Sequence, residues 1–124
     1  MTGRLIAVID DEPAMVDMLT TFLRLKGYDV RGAYTGLDGL SLVQTERPAA
    51  LLLDLMLPDI DGFEVCRRLR AQPEFAALPV IMISAHNDPA NSAQAREAGA
   101  NLYMPKPVRF PDLLVALEDL MGAD

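Results

Sequence analysis

The residues best equipped for chemistry are three consecutive acids, Asp10, Asp11 and Glu12, a fourth carboxylate at Asp54, a hydroxyl at Ser84 and an amine at Lys106. Asp54 stands inside the apolar stretch LLLDLMLPDIDG, residues 51 to 62. A lone charge is costly in a strand covered on both faces, so the carboxylate belongs at the strand's end. Ala50 to Asp54 then forms the strand and Leu55 to Asp61 the loop that leaves it. Carboxylates brought close together repel one another and raise their own pKa values unless a cation joins them. All-oxygen ligands and so few protein groups favour Mg²⁺, which keeps waters and shares its shell with phosphoryl oxygens. With the ammonium of Lys106 and the hydroxyl of Ser84 added, the set reads as a pocket for a phosphoryl group carried by Asp54 as nucleophile.

Such a pocket exists only if distant parts of the chain meet, and the pattern of elements supplies a way. Leu5 to Ile9 reads as a buried strand, and Pro13 suits the first turn of a helix bearing Met15, Val16, Leu19, Phe22 and Leu23, which stops at Gly27. Asp29 to Ala33 is a weaker strand near a sheet edge. Thr35 caps a helix with Leu37, Leu40 and Val43 inward, in a T-x-x-D pattern with Asp38. After the Asp54 strand, Asp61 starts a helix carrying Val65 and Leu69, ended by Ala71 to Pro73. Pro79 to Ser84 is the fourth strand. Pro89 to Ala98 is a helix whose apolar residues are all alanines, so its hold on the core should be light. Ala100 to Met104 is the fifth strand, and Pro111 opens a last helix with Leu113, Leu114, Leu117 and Leu120 inward. Five strands alternating with five helices predict a doubly wound parallel sheet. In the flavodoxin-like order 2-1-3-4-5 the acids after strand one face Asp54 across the switch point, where open α/β sheets bind ligands.

Composition narrows the function classes. The 124 residues suit a single domain. Eighteen acidic against eleven basic residues give a formal charge of −7, which argues against direct nucleic-acid binding or an anionic membrane surface. No apolar run approaches the ~20 residues of a membrane span, and acid follows too soon after the start for a signal peptide. One cysteine, Cys66, excludes an internal disulfide. A cytoplasmic setting is the expectation.

DD after the first strand, DLMLPDIDG after the third, SA after the fourth and KP after the fifth resemble the receiver domain of bacterial two-component response regulators, over Arg4 to about Met121. The resemblance implies that Asp54 is the phosphoacceptor and that Asp10 and Asp11, with Asp54 and the backbone carbonyl of Met56, hold Mg²⁺. It implies that Ser84 and Lys106 engage the phosphoryl group, that the Tyr103 rotamer follows Ser84, and that the surface of the fourth helix, fifth strand and fifth helix switches. Met56 and His86, two residues beyond the acceptor and the hydroxyl, would tune dephosphorylation. Lys106 to Pro107 matches a peptide bond that the family holds cis. Pro58 and Gly62 fit the loop after the acceptor, where glycine permits unusual backbone angles. The implied partners are a sensor histidine kinase or histidine phosphotransfer protein and a downstream protein or missing output domain, with room for a phosphorylation-dependent homodimer. Residues 1–124 would be a single receiver, standing alone or cut from a longer regulator.

Other readings fare less well. A phosphatase with an aspartate nucleophile would want a second carboxylate where Met56 stands, so a turnover enzyme is not expected. DDEP would repel a flavin phosphate. A pseudo-receiver, an interaction module that is never phosphorylated, is the alternative. Arg67, Arg68 and Arg70 are expected on a solvated face, and Cys66 as a small buried residue.

Overall fold

The apolar runs Leu5–Ile9, Ala50–Asp54 and Val80–Ser84 become strands buried on both faces of the sheet, while Asp29–Ala33 and Leu102–Pro105 are strands with partly exposed residues. The computed structural model describes residues 3–86 and 88–122. Met1, Thr2, Asn87, Ala123 and Asp124, which the single-domain expectation includes, lie outside the described residues. In chain order the elements are β1 (Leu5–Ile9), α1 (Pro13–Leu25), β2 (Asp29–Ala33), α2 (Gly36–Glu46), β3 (Ala50–Asp54), α3 (Gly62–Arg70), a 3-10 turn (Pro73–Phe75), β4 (Val80–Ser84), α4 (Pro89–Ala98), β5 (Leu102–Pro105) and α5 (Phe110–Met121). The sheet is parallel in the order β2-β1-β3-β4-β5, with β2 and β5 at its edges.

Alternation along the strands divides the core in two. Ala7, Ile9, Leu51, Leu53, Val80 and Met82 meet α2, α3 and α4 on one face. Ile6, Val8, Leu52, Ile81 and Ile83 meet α1 and α5 on the other. The helices are held unequally. α1 buries Val16, Leu19 and Leu23, and α5 buries Leu113 and Leu117; each such side chain contributes roughly 1.5–3 kcal/mol. α4 buries only Ala95 and Ala98, at about 0.8 kcal/mol per methyl-sized group.

Several local expectations need correcting. Leu37 does not point inward but is 51% exposed. The inner face of α2 is instead made of Gly36, Gly39, Leu40 and Val43. A Cβ on Gly39 would lie 2.3 Å from the Ile9 side chain, so the helix rests directly on the sheet. Periodicity counted on large apolar residues misses glycine as an interior residue. β5 begins at Leu102 rather than Ala100, because the Ala100 amide is taken by the carbonyl of Ala95 at the end of α4. Beyond the end of α3 the chain makes a further turn, Pro73–Phe75, which places Phe75 in the core. Gly62 is required by close approach and not by an unusual backbone angle: a Cβ there would lie 2.4 Å from the Asp54 carbonyl oxygen. Arg70 is no solvated residue. Its guanidinium donates to the Gly99 carbonyl from Nε (3.0 Å) and Nη2 (2.8 Å), to the Phe75 carbonyl (2.7 Å) and to Asn101 Oδ1 (3.1 Å). Asn101 Oδ1 also accepts from the Val80 amide, so Arg70 ties the end of α3 to the turn from α4 into β5.

Candidate functional site

The polar residues singled out above collect at the carboxyl edge of the sheet because parallel strands all end there. Asp10 follows β1 directly, and its amide donates to the Ala33 carbonyl at the end of β2 (3.1 Å). Asp54 closes β3 opposite Ile83, and Ser84 closes β4 opposite Pro105. Lys106 follows β5, with its amide donating to the Ser84 carbonyl (3.0 Å) and its bond to Pro107 cis.

The centre of the site is an ammonium among carboxylates. Lys106 Nζ lies 3.0 Å from Asp10 Oδ2, 3.2 Å from Glu12 Oε1 and 3.5 Å from Asp54 Oδ2. Asp10 and Asp54 are buried, at 3% and 6% exposure, whereas Asp11 and Glu12 face solvent. Asp10 uses its other oxygen to accept the Glu12 amide (3.0 Å), which turns the chain from strand into α1. Behind Asp54 and Asp10 the space is walled by Val8, Met15, Leu52 and Ile83. Burial against this wall, and then the Asp10 charge, raise the Asp54 carboxyl from 3.8 to about 6, although Lys106 pulls the other way. Burial alone would depress the Lys106 ammonium. Its bond to Asp10 and the charges of Asp54 and Asp10 outweigh that, and its pKa is raised.

A second group surrounds β4. Ser84 is fully buried, and its Oγ accepts the His86 amide (3.0 Å). The His86 carbonyl accepts from the Tyr103 hydroxyl and from Asn91 Nδ2 (3.2 Å). Tyr103 is half-buried on β5, its ring packed against the core and its hydroxyl tied to the loop that leaves Ser84. The His86 and Met56 side chains stand in solvent on the β4–α4 and β3–α3 loops, Met56 at 54% exposure.

The carboxylate oxygens of Asp10, Asp11 and Glu12 come within 4.8 Å of one another, and Lys106 links Asp10 to Asp54. An all-oxygen acidic set with strained carboxylates fits a hard divalent cation such as Mg²⁺. In the sequence Glu12 is one more acid in an acidic run. Its contact with Lys106, 94 residues away, has no signal in local sequence. Asp59, in the loop after Asp54, likewise has no local signal that sets it apart.

Strand order 2-1-3-4-5 with acids and a lysine at the switch point defines a flavodoxin-like α/β domain of the receiver class. The family model for the response regulator receiver domain matches residues 6–118, and the chain belongs to that family. It is similar to the DNA-binding dual master transcriptional regulator RpaA of Synechocystis, 38% identical over 94% of this chain and 48% of that protein. To the response regulator MprA of Mycobacterium avium it is 36% identical, over 94% of this chain and 50% of that protein. The chain thus spans about half the length of these curated relatives. Among solved structures, the CheY-like receiver domain protein of Methanospirillum hungatei superposes with a TM-score of 0.89 at 30% identity, over 95% of this chain and 93% of that one.

Proposed function

We propose that this domain accepts a phosphoryl group on Asp54 from a phosphohistidine of a sensor histidine kinase or histidine phosphotransfer protein and passes the signal on by a change of surface. The observation that carries the reading is a buried nucleophile at the end of a rigid strand with an ammonium 3.5 Å from its oxygen. With a pKa of about 6, the Asp54 carboxyl is mostly ionised at neutral pH and so able to attack. Its Oδ attacks the phosphorus in line, the bond from phosphorus to the imidazole nitrogen breaks, and the departing ring takes a proton from solvent. An acyl phosphate on Asp54 and a neutral histidine result.

Lys106 is placed to move its ammonium from Asp10 and Asp54 to a phosphoryl oxygen as negative charge arrives. Asp10 and Asp11, with Asp54 and the Met56 carbonyl, would hold Mg²⁺, which when bound supplies positive charge against the carboxylates and the phosphoryl oxygens. Ser84 Oγ can exchange its contact with the His86 amide for one to the phosphoryl group, which shifts the loop that also holds Tyr103 and Asn91. The surface of α4, β5 and α5 is thereby coupled to Asp54, as a two-state element biased by a local charge. The domain is a switch rather than a turnover enzyme, since Met56 offers no carboxylate to activate water. Its formal charge of −7 opposes direct DNA contact, so the output lies with a partner protein, a second copy, or a further domain of a longer regulator. A receiver-family match over residues 6–118 supports reading residues 1–124 as one receiver domain.

Mass spectrometry after incubation with Mg²⁺ and acetyl phosphate tests the reading. One hydroxylamine-labile phosphoryl adduct is expected on the parent and none on Asp54→Asn. An undiminished adduct on the variant would overturn it.

A further inference from the structure

The loop from Leu55 to Asp61 carries Met56, and its conformation decides where the Met56 peptide lies. At its base it is closed by the Gly62 amide, which donates to the Leu55 carbonyl (2.8 Å), and at its end Asp61 caps α3 by accepting the Glu64 amide (2.9 Å). Asp59 does something different. Its two carboxylate oxygens part to separate amides of another element: Oδ1 accepts from Gly36 (2.7 Å) and Oδ2 from Leu37 (2.9 Å), the first two residues of α2. The Leu37 amide foremost, with help from Gly36, holds this carboxyl below its ordinary range.

α2 already has a cap of its own, since Thr35 Oγ1 accepts the Asp38 amide (3.0 Å). Neither the Gly36 nor the Leu37 amide has a partner within the helix; Leu37 faces solvent, where water could satisfy its amide at little cost, whereas Gly36 is buried. A carboxylate from 22 and 23 residues further along the chain takes them instead. Backbone contact reinforces the join: a Cβ on Gly36 would lie 2.5 Å from Ile60 Cγ1 and 2.8 Å from the Ile60 carbonyl oxygen. The loop is thus pinned at Leu55 and again at Asp59 and Ile60, and the span between the pins is Met56, Leu57 and Pro58.

We infer that Asp59 is a positioning residue for the phosphorylation site, a latch that fastens the Asp54–α3 loop to the start of α2 and so fixes the Met56 peptide, two residues beyond Asp54. The inference rests on the functional reading above and adds a residue to it. Asp59 does not touch the reacting atoms. It acts through the loop backbone, as outer-shell groups act on the ligands of a metal site.

Three variants test it: Asp59→Ala, Asp59→Asn, which keeps one acceptor oxygen, and Thr35→Ala, which removes the helix's own cap without touching the loop. Hydrogen exchange of the amides from 55 to 60 is followed in metal-free protein, and Mg²⁺ affinity by titration calorimetry. Asp59→Ala should speed loop exchange and weaken Mg²⁺ binding, each about tenfold, and slow acyl-phosphate formation at limiting Mg²⁺. Asp59→Asn should fall between it and the parent. Thr35→Ala should lower the melting temperature while leaving loop exchange and Mg²⁺ affinity unchanged. Parent-like loop exchange and Mg²⁺ affinity in Asp59→Ala overturn the latch, as does a Thr35→Ala variant that matches it in both. A parent that forms no acyl phosphate instead overturns the functional reading, an outcome visible without any of the variants.

Discussion

Replacing Asp54 with asparagine should make the protein more stable, and by an amount that depends on pH in a defined direction. The Asp54 carboxyl titrates near 6 in the folded chain against 3.8 in the open. A raised carboxylate pKa means that folding favours the protonated form, so the ionised group opposes folding. Its cost is full above pH about 6 and fades as pH falls through the folded pKa toward 3.8. A displacement of about two units corresponds to about 3 kcal/mol at pH 8 and to about 1 kcal/mol at pH 4.5. Asparagine keeps the shape without the charge, but its amide is still buried against Val8, Leu52 and Ile83, and Lys106 retains only Asp10 and Glu12. A net gain of about 2 kcal/mol at pH 8 is therefore expected, or roughly 5–10 °C in melting temperature for a domain of this size. Urea unfolding of parent and variant in EDTA, at pH 8 and at pH 4.5, measures it. The gain should shrink by at least half at the lower pH, and Mg²⁺ should narrow it at the higher by stabilising the parent. A variant no more stable than the parent at pH 8, or a gain of equal size at both pH values, would show that the strain of the buried charge has been misjudged.

Asp11→Asn should weaken Mg²⁺ binding and phosphorylation together while leaving the metal-free melting temperature equal or higher, since one of the clustered charges is gone; calorimetry and thermal melts read both. Met56→Asn should shorten the life of the Asp54 acyl phosphate severalfold, because an amide can orient water where an exposed thioether cannot, and decay no faster than the parent's would refute this. Arg70→Ala should cost about 1–3 kcal/mol, from the loss of charge-assisted bonds to Gly99, Phe75 and Asn101. It should also raise hydrogen exchange in α4, whose buried side chains are those of Ala95 and Ala98, more than in α1.

Much of this molecule is legible without coordinates because it depends on local order. The runs ending at Ile9, Asp54 and Ser84 are too apolar and too short for anything but covered strands, and the helices between them impose a parallel sheet. Parallel strands end on one side, so acids, serine and lysine that each follow a strand must share one edge. Thr35, Asp61 and Pro89 mark helix starts for reasons confined to a few residues. Contacts between segments far apart in sequence lie beyond that reach. Nothing around Arg70 distinguishes it from Arg67 and Arg68, which pair with Glu64 on the surface, until the fold brings the Gly99 carbonyl to its guanidinium. Gly36, Gly39 and Gly62 look like punctuation in the sequence and are interior surfaces in the fold, since their use is the closeness of another chain segment. Asp59 and Glu12 are ordinary acids in acidic stretches. Tertiary structure alone decided that one closes a loop onto α2 and the other meets Lys106, because a charge acquires a role only from what stands within a few ångströms of it.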